Sequence, residues 1–400
     1  MAPTKPATKT KKDKAKERLR AKTAAAQGTN VNTRELLAKA TALLEVGDPE
    51  GAAQAASTAY DHIGEKGRLA GAALSLLGQI GVELGDIEKA CDYFTRAVAL
   101  DEDGVLPEEE GGGPEKFLWL AQLSGEGGQD SVLWYQRGAS ALRTQIQVLG
   151  EKLGSLPHTR EQQAAVISEK QRKLADTLCA VAEVYMTDLS WEEDAEQRCE
   201  ALITEATLLA PDLAETWQTV ANVRISQARE EEAREALKRS LGLWADLAPQ
   251  DPKVPPFPTR VSLVRLLIEV DMEESAIEVA QRLIREDDRS VEVWYLGGYG
   301  RYILGDKMKQ EGTDVESWQR VWRSSRKWLA QCLRIFEVEE YEDDRLRDHA
   351  QELLVSIKSE LGGAAEGDGD ADEWEDTDDE DEDDENGSDE DEDDEDADMQ

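Results

Sequence analysis

The chain has 400 residues, with 46 Lys or Arg against 87 Asp or Glu and a net charge of −41. A body this acidic repels phosphate backbones, and nothing approaches the roughly 20 consecutive apolar residues that span a bilayer, which argues against nucleic-acid binding through the body and against a membrane span. Four cysteines without CxxC spacing (Cys91, Cys179, Cys199, Cys332) read as a reduced, intracellular set, and the lysine-rich start lacks the apolar segment of a secretory signal.

The charge is uneven along the chain. Residues 1–30 form a basic arm with nine Lys or Arg against two acids, and its Lys5–Lys22 stretch suits an import signal, an RNA contact or a plain solvated arm. From residue 31, small and apolar residues recur with helical spacing. Leu36, Ala40, Ala52 and Ala59 flank Gly47-Asp48, and Leu74, Leu77, Gly78, Ala90, Phe94 and Ala97 flank Gly85-Asp86 in the same way. Glu108–Pro114 reads as a loop, followed by a degenerate unit over Phe117–Leu142. Leu178, Val181, Ala182, Tyr185, Ile203 and Ala206 make a fourth unit with about five extra residues in its turn, closed by Pro211. Trp217, Val220, Ala221, Ala233 and Leu237 make a fifth.

Prolines between Pro249 and Pro258 argue against helix there. Leu263, Leu267 and Ala276 follow, then Trp294, Gly298 and Leu304-Gly305-Asp306, with Lys307–Glu316 separating the last pair of helices. Tyr341–Leu361 has the spacing of an amphipathic helix that Gly362 stops. Residues 362–400 carry 24 Asp or Glu and no Lys or Arg, too much charge and too few apolar side chains to fold. Ser388 and Thr377 each precede an acid at +3, the pattern read by acid-directed kinases.

With Gly85-Asp86 at positions 15 and 16 of a 34-residue unit, the small residues fall at 8, 20 and 27, and the array resembles the tetratricopeptide (TPR) family. The resemblance implies an all-α, right-handed solenoid of about seven helical hairpins over residues 31–361, closed by a capping helix and flanked by disordered tails.

Signatures of catalysis are missing from the sequence. His62, His158 and His349 have no HxxxH or CxxC companion, Gly111–Gly113 leads into no GK[ST], and no GxSxG elbow occurs. Cys199 and Cys332 fall near small-residue packing positions and read as core. The expectation is a protein with no enzymatic activity, cofactor or metal.

In the TPR family the first helix of each unit lines a concave face through positions 2, 5, 9, 12 and 13. Carried over unit by unit, the resemblance implies Ser75, Gln79 and Glu83; Asp176, Cys179 and Glu183; Glu215, Gln218 and Asn222; Arg265, Ile268 and Glu269; and Glu292, Tyr295, Tyr299 and Tyr302. Such a wall offers carboxylates to the Lys and Arg of an extended peptide. Each acid taken singly reads equally as a solvated face. The tyrosines either stack on guanidinium groups or pack beneath the capping segment. Units that clamp the C-terminal carboxylate of large heat-shock chaperones carry a Lys and an Asn where this chain has Leu37 and Thr41, which disfavours that role.

The layout of basic arm, TPR body and terminal acidic run is similar to the fungal TPR assembly chaperones dedicated to large-subunit ribosomal protein L-four. That resemblance implies a concave groove holding the long basic internal loop of the newly made client. It also implies presence in cytoplasm and nucleus, delivery to the pre-ribosome, and an importin as a further partner. A TPR histone chaperone and a non-catalytic TPR scaffold subunit are the alternatives.

Overall fold

The computed structural model describes residues 32–151 and 159–361. The basic arm, the acidic tail, His158 and the Gly362 stop lie outside the described residues. Among the described residues there are helices and turns and no strand. Helices α1 (Thr33–Glu45) and α2 (Pro49–Ile63) form the first hairpin, and α3 (Ala70–Glu83) and α4 (Ile87–Leu100) the second. The third pairs α5 (Glu115–Gln122) with α6 (Gly128–Glu151), and the fourth α7 (Arg160–Met186) with α8 (Ala195–Leu209). Then come α9 (Ala214–Ser226) with α10 (Glu230–Gly242), α11 (Phe257–Glu269) with α12 (Glu273–Glu286), and α13 (Val291–Gln310) with α14 (Val315–Val338). Helix α15 (Asp344–Leu361) packs on the last hairpin as its cap. The architecture is the expected TPR-type solenoid.

The turn within each hairpin shows why the repeat reads as it does. Gly47 and Gly85, at position 15, take left-handed backbone (φ 77° and 72°), and the Asp that follows each caps the next helix. Asp48 accepts from Gly51 N at 2.9 Å and Asp86 from Lys89 N at 3.3 Å. The same place in the fifth and sixth hairpins holds Ala228 (φ 54°) and Asp271 (φ 63°). A side chain there costs roughly 1–2 kcal/mol, so the packing of the two helices, not the residue, dictates the turn. Asp271 is held by ion pairs to Arg234 and Lys307.

Small residues let the paired helices close. Ala40, Ala52, Ala59, Ala90, Ala97, Ala182, Ala206, Ala221 and Ala233 are fully buried. A Cβ on Gly78 would lie 2.6 Å from the Phe94 ring, so only glycine fits opposite that phenylalanine. Position-4 tryptophans clamp successive units: Trp217 Nε1 donates to Pro211 O at 3.0 Å, and Trp294 Nε1 to Asp288 O at 2.7 Å. Where the proline-rich segment separates α10 from α11, Trp244 fills the gap, with the Arg260 and Arg282 guanidiniums over its ring at 5.9 and 5.1 Å.

Three boundaries differ from the sequence reading. Pro258 belongs to the first turn of α11, where a missing N–H leaves no hydrogen bond unmade. Leu304-Gly305-Asp306 is not the turn of the last unit, because α13 continues to Gln310 and the turn falls at 311–314. Gly305 stays helical because a Cβ there would meet Trp322 Cδ1 at 2.4 Å, just as Gly297 and Gly298 make room for Trp328 and Leu329. Finally, α6 and α7 have 24 and 27 residues, about 36 and 40 Å at 1.5 Å per residue, against 8 and 15 residues in their hairpin partners α5 and α8.

The 101–114 loop is organised around one buried ion pair. Lys116 Nζ lies 2.7 Å from Asp101 Oδ2, with side chains 1% and 3% exposed. The ammonium also donates to the carbonyls of Gly111 and Gly113, and Asp101 Oδ1 accepts from Val105 N and Leu106 N. Burial holds the Lys116 ammonium below its ordinary range despite its partner.

Candidate partner-binding groove

The first helices stand side by side: α1 touches α3, α7 touches α9, α9 touches α11, α11 touches α13, and α13 touches α15. Positions 2, 5, 9 and 12 of these helices step by three or four residues, and 13 lies four after 9, so they share one helical flank. The wall from α7 to α11 carries Asp176, Glu183, Glu215, Asn222 and Glu269. All are exposed except Glu215, which is half-buried. Glu83 lies exposed in the last turn of α3, apart from this wall.

Asp176 and Glu183 on α7 are open to solvent on one side and walled by protein on the others. Loss of hydration, reinforced by the neighbouring Glu215 carboxylate, pushes Asp176 up to about 6. Lys173 and Arg172 pull the other way but are committed elsewhere, Lys173 to Glu115 and Arg172 to Asp212. Burial raises Glu183 as well. Among the described residues none of Asp176, Glu183 and Glu215 forms an ion pair, although the helices around them are laced with such pairs. The cluster is anionic, open to solvent and without an ion pair among the described residues, which favours an incoming ammonium or guanidinium. Lys173 and Arg172, which the family positions did not select, were legible as the i−3 and i−4 neighbours of Asp176 on one helix face.

Several expected wall residues are engaged with the protein itself. Gln218 is 6% exposed and its Nε2 donates to Ser240 Oγ at 3.5 Å, while Ser240 donates to Ala214 O. It therefore belongs to the α9–α10 interface and not to the open wall. Cys179 and Ile268 are buried too, and burial pushes the Cys179 thiol up to about 12. Arg265 on α11 forms an ion pair with Glu292 on α13, so these two neutralise each other. The tyrosines seat the cap. Tyr295 and Tyr299 stack at 5.9 Å, both meet His349 of α15 edge-on, and Tyr295 Oη lies 2.7 Å from His349 Nδ1. Tyr302 stacks on Trp322 at 5.5 Å and its hydroxyl is 3.1 Å from Ser356 Oγ. Guanidinium stacking on these three is thus replaced by packing under α15, because the cap takes the place of a next first helix.

The raised Asp176 carboxyl predicts two opposite pH effects. Its folded value lies above the unfolded one, so the free fold holds the proton more tightly. Its contribution to stability therefore rises as pH falls through about 6 and is a penalty at neutral pH. Binding of a cationic peptide needs the carboxylate and so weakens over the same window. Asp176→Asn is expected to stabilise the free chain at pH 7.5 by on the order of 1 kcal/mol, discounted for screening at an exposed group. It is also expected to flatten the pH dependence of peptide affinity between pH 7.5 and 5. Thermal melts and binding isotherms at the two pH values check both signs.

Comparison with known proteins agrees with this architecture. A family model described as a tetratricopeptide repeat matches residues 72–103, the second hairpin. The chain is similar to the probable assembly chaperone of rpl4 of Emericella nidulans, 42% identical over 348 residues and 85% of each chain. It is also similar to the probable assembly chaperone of rpl4 of Schizosaccharomyces pombe, 32% identical over 286 residues, covering 71% of this chain and 79% of that one. Among solved structures, the Assembly Chaperone of RpL4 (Acl4), residues 1–338, superposes with a TM-score of 0.67 at 70% identity, over 70% of this chain and all of that one. Seven hairpins, a cap and sequence identity sustained over most of the chain lead to one assignment: the protein belongs to the family of tetratricopeptide-repeat assembly chaperones of rpl4.

Proposed function

We propose that this chain is a dedicated, non-catalytic chaperone for the newly made, strongly basic ribosomal protein rpl4 (L-four), held through its long internal loop in the acidic concave face. The observation that carries the reading is the carboxylate set Asp176, Glu183 and Glu215, open to solvent and without an ion pair among the described residues. The names of the relatives support the identity of the client. A basic segment destined for ribosomal RNA has no fold and no countercharge before it reaches that RNA. A row of carboxylates on consecutive first helices supplies the countercharge over an extended length.

Release needs only a denser polyanion than the groove, and ribosomal RNA is one, so no nucleotide hydrolysis enters the cycle. In this reading the chaperone works in cytoplasm and nucleus, and its complex travels to the pre-ribosome with an importin. The acidic tail screens the client from stray RNA. Affinity purification from native cytosol, with low-salt and high-salt washes compared by mass spectrometry, tests the proposal. Near-stoichiometric rpl4 that falls away as salt rises is the expected result. Histones, or a fixed set of non-basic subunits, in its place would overturn it.

A further inference from the structure

The extra residues in the fourth hairpin build a pedestal. After α7 ends at Met186, Thr187 N donates to Glu183 O and Leu189 N to Val184 O, both at 3.0 Å, and the Leu189 side chain is 3% exposed in the core. Asp188 Oδ2 accepts from Gly128 N at 3.0 Å, and Glu192 accepts from Gln129, so two contacts fasten this turn to the start of α6. On top of this fastened turn stands Trp191, 76% exposed, its Nε1 donating to Asp188 O at 3.0 Å. An indole so exposed, on a turn so well tied down, is not needed for the core. Placing it there leaves a large apolar ring in water and available to a partner, and Trp is among the residue types that carry most binding energy where partners meet.

Its surroundings select the partner. Residues 188–198 carry five carboxylates (Asp188, Glu192, Glu193, Asp194, Glu196) and one arginine, and Arg198 is already paired with Asp194 and laid over the Tyr185 ring. The indole face offers π density beside net negative charge, which suits a guanidinium that stacks on the ring while its N–H groups reach carboxylates. The pedestal follows the groove wall directly along the chain, beginning four residues after Glu183 in the last turn of α7.

We propose that Trp191 is an aromatic anchor at the rim of the groove that stacks on an arginine of the basic client, extending recognition beyond the concave carboxylates. This rests on the reading that the groove takes a basic chain. The test uses the full-length protein and two fluorescein-labelled unstructured peptides of equal charge, one rich in Arg and one with every Arg replaced by Lys. Trp191→Ala is expected to weaken the Arg peptide about 5- to 20-fold and the Lys peptide less, and Trp191→Phe to recover part of the loss. The triple variant Asp176→Asn, Glu183→Gln, Glu215→Gln should weaken both peptides alike. If Trp191→Ala binds as wild type while the triple variant does not, the anchor is overturned and the groove stands. If the triple variant binds as wild type, the groove reading falls and the anchor at its rim falls with it, whatever Trp191→Ala does. If both bind as wild type, both fall. An equal loss for Arg and Lys peptides in Trp191→Ala would also overturn the anchor as an arginine site.

Discussion

Neutralising Asp176, Glu183, Glu215 and Glu269 together (Asn for Asp, Gln for Glu) is expected to weaken the basic client about 100- to 1,000-fold while leaving far-ultraviolet circular dichroism unchanged. The magnitude follows from roughly 1 kcal/mol for each charge-assisted contact that is lost, with allowance for non-additivity among neighbours. The fold should survive because all four side chains are exposed or half-buried and, among the described residues, none forms an ion pair that holds helices together. Glu292 does not belong in this set. Its pairing with Arg265 means that removing it would free a cation on the wall and mix two effects. Titration calorimetry at 50 and 500 mM salt checks the prediction. The wild-type advantage should shrink at the higher salt, since part of the groove is open to screening ions. An affinity within twofold of wild type at low salt would remove the groove from the mechanism.

Lys116→Met should be the most damaging single change. It strips the ammonium from Asp101 in a site where both side chains are almost fully buried, and an unpaired buried carboxylate costs roughly 3–5 kcal/mol. The loss should spread through the 101–114 loop, because Lys116 also binds the Gly111 and Gly113 carbonyls that fold this loop back on itself. Urea unfolding should show a lower midpoint, and limited proteolysis should cut within residues 101–114. Adding Asp101→Asn should recover part of the loss. The amide retains an oxygen for Val105 N and Leu106 N but carries no charge to strand. A single-mutant loss below about 1 kcal/mol would mean that the loop holds by packing alone.

Much of the fold was legible because a TPR hairpin is a local object. Gly47-Asp48 and Gly85-Asp86 announce a left-handed turn followed by an N-cap, and both occur as read. The same motif read at Gly305-Asp306 misplaced the last turn. A glycine that admits a tryptophan and a glycine that turns the chain look alike until the opposing Trp322 is in place. Lys116 and Asp101, 15 residues apart around an irregular loop, gave no periodic signal at all.

The groove was legible in a similar measure. Asp176, Glu183, Glu215, Asn222 and Glu269 could be placed because their spacing along each helix determines their flank. Gln218 obeys the same spacing, yet its burial depends on how closely α9 and α10 approach, which a helical period does not encode.

The 34-residue rhythm of small and apolar residues thus determined by itself that the chain forms paired helices, about how many, and which residues share a flank of each. This holds because the 3.6-residue period ties side-chain direction to position. The stacking of hairpins into a solenoid settled which of those flank residues remain free. It brings His349 onto Tyr295 from 54 positions away and Arg265 onto Glu292 from 27, satisfying some groups and leaving Asp176, Glu183 and Glu215 without an ion pair among the described residues. Whether a charge or ring is spent inside the fold or left for a partner depends on neighbours supplied by distant helices, and those distances exist only after the chain has packed.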